Sequence, residues 1–171
     1  MPTYQQKKHR GALSRLAARI YTLGALREVS TGLPLQTGAL PWRLGRGKRA
    51  EVLLVTGRRS GQWTIPKGWP IRGKSLAKAA AQEAFEEAGV EGTIDSEPLG
   101  SFRHTKQHLG IGPLDVSILV HPLSVHREFA RWPEHGQRER KWFSIKQAAQ
   151  IVGSTELKHL ILELKGRMPR N

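Results

Sequence analysis

The segment from Ser75 to Ala88 constrains this chain most, because it has the composition of a helix and is bounded by residues that start and stop one. Alanine, leucine, lysine, glutamine and glutamate fill it, and all five favour helices. Ser75 is placed to cap the start, and Gly89 is placed to end the helix. Residues 66–70 before it contain two prolines and a glycine, so we expect no regular structure there. The sequence predicts a shaped loop that leads into a helix.

Apolar segments on both sides of this helix predict a sheet. Strands are expected at residues 51–56, 63–65, 97–104 and 114–121 and at Trp142-Phe143, and further helices are expected at 144–151 and 154–165. These elements do not alternate strictly as βαβ units. We therefore expect an α+β fold in which helices flank a mixed sheet.

The first 35 residues are interpreted as a basic helical extension, and residues 36–171 as one domain, since 171 residues suit a single core. Residues 1–27 contain no acidic side chain. Apolar residues recur in the extension at helical spacing, and they are Leu13, Leu16, Ile20 and Leu23. An organelle transit peptide, a basic arm and a helix packed on the domain all have this composition.

The charge balance indicates an anionic partner. Lys and Arg number 28 against 14 Asp and Glu, which gives a formal net charge of +14. Such an excess attracts small phosphate-rich ligands and RNA alike, so charge alone does not choose between them. The absence of cysteine excludes disulfides, thiolate metal sites and a cysteine nucleophile. Without a long apolar run or a secretory signal, we expect a cytoplasmic protein with no membrane segment.

Three glutamates of the predicted helix point to a metal site. Glu83, Glu86 and Glu87 stand at i, i+3 and i+4, so their side chains leave one face of the helix and repel each other. A divalent cation with a preference for oxygen ligands relieves that repulsion, and Mg²⁺ fits best. A solvated acidic helix face is the alternative that three glutamates alone leave open. Such a cation beside many basic residues suits phosphoryl transfer.

The stretch from Gly68 to Val90 resembles the Nudix box. That pattern is Gly, five residues, Glu, seven residues, Arg-Glu, an aliphatic, any residue, Glu-Glu, any residue, Gly, an aliphatic. The positions that stand in register are Gly68, Glu83, Glu86, Glu87, Gly89 and Val90. The sequence departs from the pattern at three positions, with Lys74 for the first Glu, Gln82 for the Arg and Ala84 for the first aliphatic.

This resemblance implies a Nudix-type α/β/α sandwich and the hydrolysis of a phosphoanhydride bond. By family role, Glu83 and Glu87 bind Mg²⁺, for which Mn²⁺ can substitute, and the Lys67 carbonyl completes the coordination. Glu86 is then the catalytic base. In the family the Arg orients the catalytic glutamates, so Gln82 would have to do this without a charge. The loss of a carboxylate at Lys74 would alter the number or the affinity of the metal ions.

Outside the box, the chain resembles the diphosphoinositol polyphosphate phosphohydrolase branch. That branch takes diphosphoinositol polyphosphates and dinucleoside polyphosphates, which are small-molecule polyphosphates. The expected substrate contacts are Gly38, Ala39, Leu40, Gly57, Arg58, Arg59, Arg103 and Arg138. Arginine suits the role because its planar fork grips two phosphate oxygens, although any one of these arginines is equally an ordinary surface charge. The neighbours His104 and Lys106 would line the same cleft, and Glu134 or Glu139 would supply a further carboxylate.

Two other functions fit the same sequence. One is an RNA 5′-end pyrophosphohydrolase, which would use the same carboxylates on a larger anionic substrate. The other is a non-catalytic RNA-binding Nudix protein, in which Lys74 and Gln82 mark lost catalysis. The second predicts salt-sensitive RNA binding that needs no Mg²⁺.

Overall fold

The computed structural model describes residues 26–108 and 112–168, and in these ranges one eight-stranded mixed sheet carries the fold. The predicted N-terminal helix lies outside the described residues. The strands are β1 (Leu35–Leu44), β2 (Ala50–Thr56), β3 (Trp63–Thr64), β4 (Lys67–Gly68), β5 (Val90–Ile94), β6 (Gly100–His108), β7 (Gly112–Glu128) and β8 (Arg140–Ser144). A 3-10 turn, Arg46–Lys48, joins β1 to β2.

The strand order within the sheet is β3-β2-β1-β7-β5, with β4 paired to β1, β6 to β7 and β8 to β2. The central pair β1 and β7 is parallel, whereas the other pairs are antiparallel. The long strand β7 therefore links three neighbours into one surface. Because β4 lies against β1 with Gly38 opposite Lys67, the loop predicted at 66–70 is pinned to the middle of the sheet.

Within the described ranges, three helices cover the two faces, and they are α1 (Leu76–Ala88), α2 (Ile145–Ile151) and α3 (Thr155–Glu163), the last followed by a 3-10 turn, Leu164–Arg167. The Ser75 hydroxyl accepts a hydrogen bond from the Lys78 N–H at 3.2 Å, so the predicted cap is formed. Gly89 ends α1 in the left-handed conformation, with φ of 62°, and its N–H donates to the Phe85 carbonyl. No helix in the described ranges has the length and apolar content to cross a membrane.

Each face of the sheet has its own core. The α1 face is built from small residues, and its buried members are Ala39, Leu53, Val55, Ala80, Ala84, Ala88, Val90 and Leu123. The opposite face packs larger side chains against α2 and α3, including Leu40, Phe102, Ile118, Leu157 and Ile161. The alanines of α1 let its backbone lie close to the sheet, which brings its glutamates near β4. The predicted mixed sheet flanked by helices is confirmed.

Some local predictions were wrong in their details. Residues 66–70 were expected to hold no regular structure, but Lys67–Gly68 pairs with β1. Strands β1 and β5 were not predicted as such, because glycine, proline and polar residues interrupt their apolar pattern. Residues 26–34 were assigned to the extension, yet the Glu28 carboxylate accepts a hydrogen bond from the Ser101 hydroxyl of β6. That part of the chain is therefore tied to the sheet.

Candidate active site

Two of the three glutamates of α1, Glu83 and Glu87, lie against the backbone of strand β4. The carboxylate of Glu83 lies directly against Gly68, where a Cβ atom would overlap with it. The Lys67 N–H donates to Glu87 Oε2 at 3.2 Å. The Thr37 hydroxyl of β1 donates to the Leu76 carbonyl at 3.0 Å, which anchors the start of α1 over the sheet. The glycine at 68 therefore serves close approach, in addition to the turn geometry expected from the sequence.

The site concentrates negative charge in a desolvated place. Burial, together with the neighbouring carboxylates of Glu87, Glu86 and Glu134, raises the pKa of Glu83 from 4.5 to about 7. Burial also raises the pKa of Glu87, although Lys67 and Arg138 oppose that shift. Ionised carboxylates are thus disfavoured here unless a cation joins them.

Arg138 is the cationic partner of Glu87. The two side chains form a buried ion pair, and each is less than a tenth exposed. The same guanidinium donates to Glu134 Oε2 at 2.7 Å and to the Thr56 carbonyl at 3.0 Å. The phosphate contact expected at Arg138 stays a prediction, since three of its five N–H donors already bind protein oxygens. Arg138 also ties α1, the end of β2 and the late loop together.

The donors at this site fit a divalent cation held by a few protein oxygens. Glu83, Glu87 and the Lys67 backbone are adjacent, and hard oxygen donors of this kind suit Mg²⁺, which keeps several waters. Across residues 26–108 and 112–168, no group of three or more His, Asp and Glu side chains is gathered as a metal cage. Glu83, Glu87 and the Lys67 backbone would therefore hold such a cation only together with other ligands.

Glu86 lies on the same helix and is partly exposed. Its Oε1 accepts a hydrogen bond from Gln82 Nε2 at 2.6 Å, one helical turn earlier. Its backbone carbonyl accepts from the Glu134 N–H at 3.0 Å, which joins the late loop to α1. A partly exposed carboxylate beside a site for a cation has the access that a general base needs.

A cleft of about 540 Å³ opens beside Lys67, between β3, β6 and the start of α3. Its lining includes Trp63, His104 and Ser154. Burial lowers the pKa of Lys67 from 10.5 to about 8, although Glu87 opposes the shift. Burial, together with Lys67 and Lys106, lowers the pKa of His104 to about 4, so this imidazole is neutral at physiological pH.

Lys106 extends from β6 toward the same place. Its ammonium lies 5.3 Å from the centre of the Trp69 ring, and burial lowers its pKa while Glu87 and Glu83 raise it. Neither Lys67 Nζ nor Lys106 Nζ has a hydrogen-bond or ion-pair partner in the described part of the chain. Two ammonium groups beside paired carboxylates make the site attractive to phosphate oxygens and to a divalent cation together.

The other predicted contacts are spread around the cleft. Gly57 lines it in a tight loop, and its N–H donates to the Gln62 carbonyl at 2.9 Å. Arg58 is exposed and lies 3.5 Å from Glu134, and Arg59 follows it on the surface. Arg103 is on the far wall, where it forms an ion pair with Asp115. The loop at 57–59 is therefore near the carboxylates, while Arg103 is across the cleft.

Three predicted contacts are placed in the sheet. Gly38 is buried, and Ala39 and Leu40 have no exposed surface. A Cβ atom at position 38 would lie 2.9 Å from the Ile65 side chain, so the glycine permits close packing of β1. None of these three residues lines the cleft beside Lys67, and their contact with substrate stays a prediction.

Two features of the site were only weakly indicated by the sequence. Glu134 was one of two candidates in the late loop. Its connection to Glu87 runs through Arg138, which pairs with both residues only in the folded chain. The second feature is a hydrogen-bonded run of Lys74, Gln82 and Glu86. The sequence showed Lys74 and Gln82 only as departures from the Nudix pattern. The spacing of Gln82 and Glu86, at i and i+4 on one helix face, was the available signal.

Comparison with known proteins defines the family. A sequence model described as the NUDIX domain matches residues 35–164. The chain belongs to the Nudix family. The sequence prediction of a Nudix-type hydrolase is therefore confirmed at the level of the family, whose members generally use divalent metals.

Relatives and solved structures agree with this membership. The chain is 34% identical over 133 residues to Nudix hydrolase 21, chloroplastic, of Arabidopsis thaliana, covering 72% of this chain and 62% of the relative. It is 31% identical over 106 residues to diphosphoinositol polyphosphate phosphohydrolase 2 of Rattus norvegicus, covering 60% and 54%. The chain thus spans less than two thirds of either relative. The fold is similar to that of an Ap4A hydrolase from C. elegans, with a TM-score of 0.56, 22% identity and coverage of 79% and 98%.

Proposed function

We propose that this protein hydrolyses phosphoanhydride bonds in a polyphosphorylated small molecule, with Mg²⁺ as the divalent cation. The observation that carries the proposal is that Glu83 and Glu87 lie beside two ammonium groups, Lys67 and Lys106, of which Lys67 lines the cleft. Such a pairing offers opposite charges to a cation and to phosphate oxygens at once. Neither a bare acidic helix face nor a merely basic surface offers both.

Dinucleoside polyphosphates and diphosphoinositol polyphosphates are the substrate classes we favour. The names of the C. elegans structure and of the rat relative support them. The net charge of +14 favours a substrate with many phosphates. We assign phosphate contacts to Lys67 and Lys106 near the carboxylates, to the loop at Gly57, Arg58 and Arg59, and to Arg103 on the far wall. The cytoplasmic location expected from the sequence stays a prediction.

In the proposed reaction, Glu83, Glu87 and the Lys67 carbonyl hold the cation, while Arg138 fixes the position of Glu87. Glu86 takes a proton from the water that attacks phosphorus. The ammonium groups of Lys67 and Lys106 orient the phosphate chain and neutralise charge as the leaving group departs. A divalent cation held by these residues would further neutralise the phosphates and lower the pKa of the attacking water.

A substrate screen with a single substitution tests this function. Diadenosine polyphosphates, diphosphoinositol polyphosphates and a 5′-triphosphorylated RNA are each incubated with Mg²⁺, with Mn²⁺ and with EDTA, and phosphate-containing products are measured. Glu86→Gln should lower kcat by roughly 100- to 10,000-fold, because a general base is removed. Glu163→Gln makes the same change at an exposed position of α3 and serves as the control.

Three results of this screen would each overturn a different part of the proposal. Equal rates for wild type and Glu86→Gln would remove Glu86 as the base. Turnover that persists in EDTA would remove the cation from the proposal. Turnover of the RNA alone would replace the small-molecule substrate with an RNA 5′ end.

A further inference from the structure

Three polar side chains form a hydrogen-bonded run that ends on Glu86. Lys74 Nζ donates to Gln82 Oε1 at 2.5 Å, and Gln82 Nε2 donates to Glu86 Oε1 at 2.6 Å. Lys74 belongs to the loop before α1, whereas Gln82 and Glu86 are one turn apart on the helix. The run therefore couples the loop to the carboxylate that we assign as the base.

Lys74 and Glu86, at the two ends of the run, determine the orientation of the Gln82 side-chain amide. An ammonium group only donates hydrogen bonds, and an ionised carboxylate only accepts them. The oxygen of the Gln82 amide must therefore face Lys74, and its nitrogen must face Glu86. A glutamine without these neighbours would exchange among rotamers at little cost, because it is only partly buried.

The amide also separates two opposite charges. Lys74 and Glu86 are joined through a neutral group and make no direct ion pair. The hydrogen bond from Gln82 engages only Oε1 of Glu86, and no hydrogen bond to Glu86 Oε2 is found within residues 26–108 and 112–168. One carboxylate oxygen is thus held, while the other has no hydrogen bond within those ranges.

We propose that Gln82 and Lys74 are positioning residues, in which the ammonium orients the amide and the amide orients the base Glu86. The proposal rests on the catalytic role proposed for Glu86. It gives a function to the two departures from the Nudix pattern, because a cation in the loop requires a helix partner that accepts a hydrogen bond at one end and donates at the other. Glutamine meets this requirement, and arginine, which has no acceptor, does not.

Kinetics of four variants test the coupling. Gln82→Leu should lower kcat roughly 10- to 100-fold, the usual effect of a misplaced catalytic group, with little change in KM. Lys74→Met should lower kcat by at most about fivefold, because this end of the run is exposed. Gln82→Arg should also lower kcat, because the new guanidinium would lie beside the Lys74 ammonium. The double change Lys74→Glu with Gln82→Arg should recover most of the activity, because opposite charges then meet.

Lys78→Met is the matched control, because Lys78 is an exposed lysine of the same helix and the change in charge is identical. It should leave kcat unaltered. Circular dichroism and a thermal melt on every variant establish that each is folded. An unchanged kcat in folded Gln82→Leu would overturn the proposal, as would a failure of Lys74→Glu to rescue Gln82→Arg.

A second readout needs neither turnover nor metal. In the NMR spectrum, the side-chain amide signals of Gln82, assigned by their loss in Gln82→Leu, should be shifted from those of mobile glutamines. Lys74→Met should move them back toward the mobile position, whereas Lys78→Met should not. If the wild-type Gln82 signals were those of a mobile glutamine, the hydrogen bonds from Lys74 to Gln82 and from Gln82 to Glu86 would be refuted. An ordered Gln82 in a protein inactive on every substrate would instead remove the proposed function, and the positioning role with it.

Discussion

Replacement of Arg138 by methionine should destabilise the protein strongly, because the arginine is buried among groups that need it. Its guanidinium pairs with Glu87 and Glu134 and donates to the Thr56 carbonyl. Methionine fills much of the same space without any donor. The variant therefore leaves one buried carboxylate without its cation and weakens the links among α1, β2 and the late loop.

The expected size of this effect follows from the burial. Side-chain exposure is 7% for Arg138 and 8% for Glu87, so water does not replace the lost partner. Removal of one member of a buried ion pair costs about 3–5 kcal/mol of unfolding free energy. For a chain of 171 residues, each kcal/mol shifts Tm by about 2–4 °C, which gives a decrease of about 6–20 °C.

Urea denaturation and thermal melts of the EDTA-treated protein measure this loss. Arg103→Met is the control, since it breaks the exposed pair with Asp115 and should cost about 0–1 kcal/mol. The double variant Arg138→Met with Glu87→Gln should be less destabilised than the sum of its parts, because no unpaired buried charge is left. If Arg138→Met cost no more than Arg103→Met, the buried network would not have the role assigned to it.

Two further predictions concern the carboxylates of the site. Gly68→Ala should abolish Mg²⁺-dependent stabilisation in thermal melts, because the new Cβ would overlap with the Glu83 carboxylate; an unchanged response would contradict the placement of Glu83. In EDTA the unfolding free energy should fall as pH rises from 4.5 to about 7, because Glu83 keeps its proton in the folded state over that range and loses it in the unfolded state. Glu83→Gln should flatten this dependence, and an equal slope in both proteins would refute it.

The features that the sequence predicted well are those determined by neighbouring residues. Helix α1 begins after Ser75 and ends at Gly89, as the capping residues and composition require. The i and i+4 spacing placed Glu83 and Glu87 together for the same reason. These predictions depend on helix geometry alone, which does not change with the rest of the fold.

The features that it predicted poorly depend on contacts between distant segments. Strand β1 was missed because its stability comes from pairing with β7, β2 and β4, and its local pattern is weak. The buried ion pair between Arg138 and Glu87 was not predicted, because a sequence shows an arginine without showing its partner. Glu87 is 51 residues away, and only the folded chain brings the two together.

The arrangement of charges at the site differs from what the net charge of +14 suggests. Glu83 and Glu87 lie beside Lys67, Lys106 and Arg138, so carboxylates and cations occupy the same small region. A divalent cation that enters alone meets three positive groups, and a phosphate chain that enters alone meets the carboxylates. When both enter, each neutralises the charge that opposes the other, so we expect their binding free energies to be coupled. A site that is nearly neutral within a strongly cationic protein therefore favours a metal and a polyphosphate as a pair over either one alone.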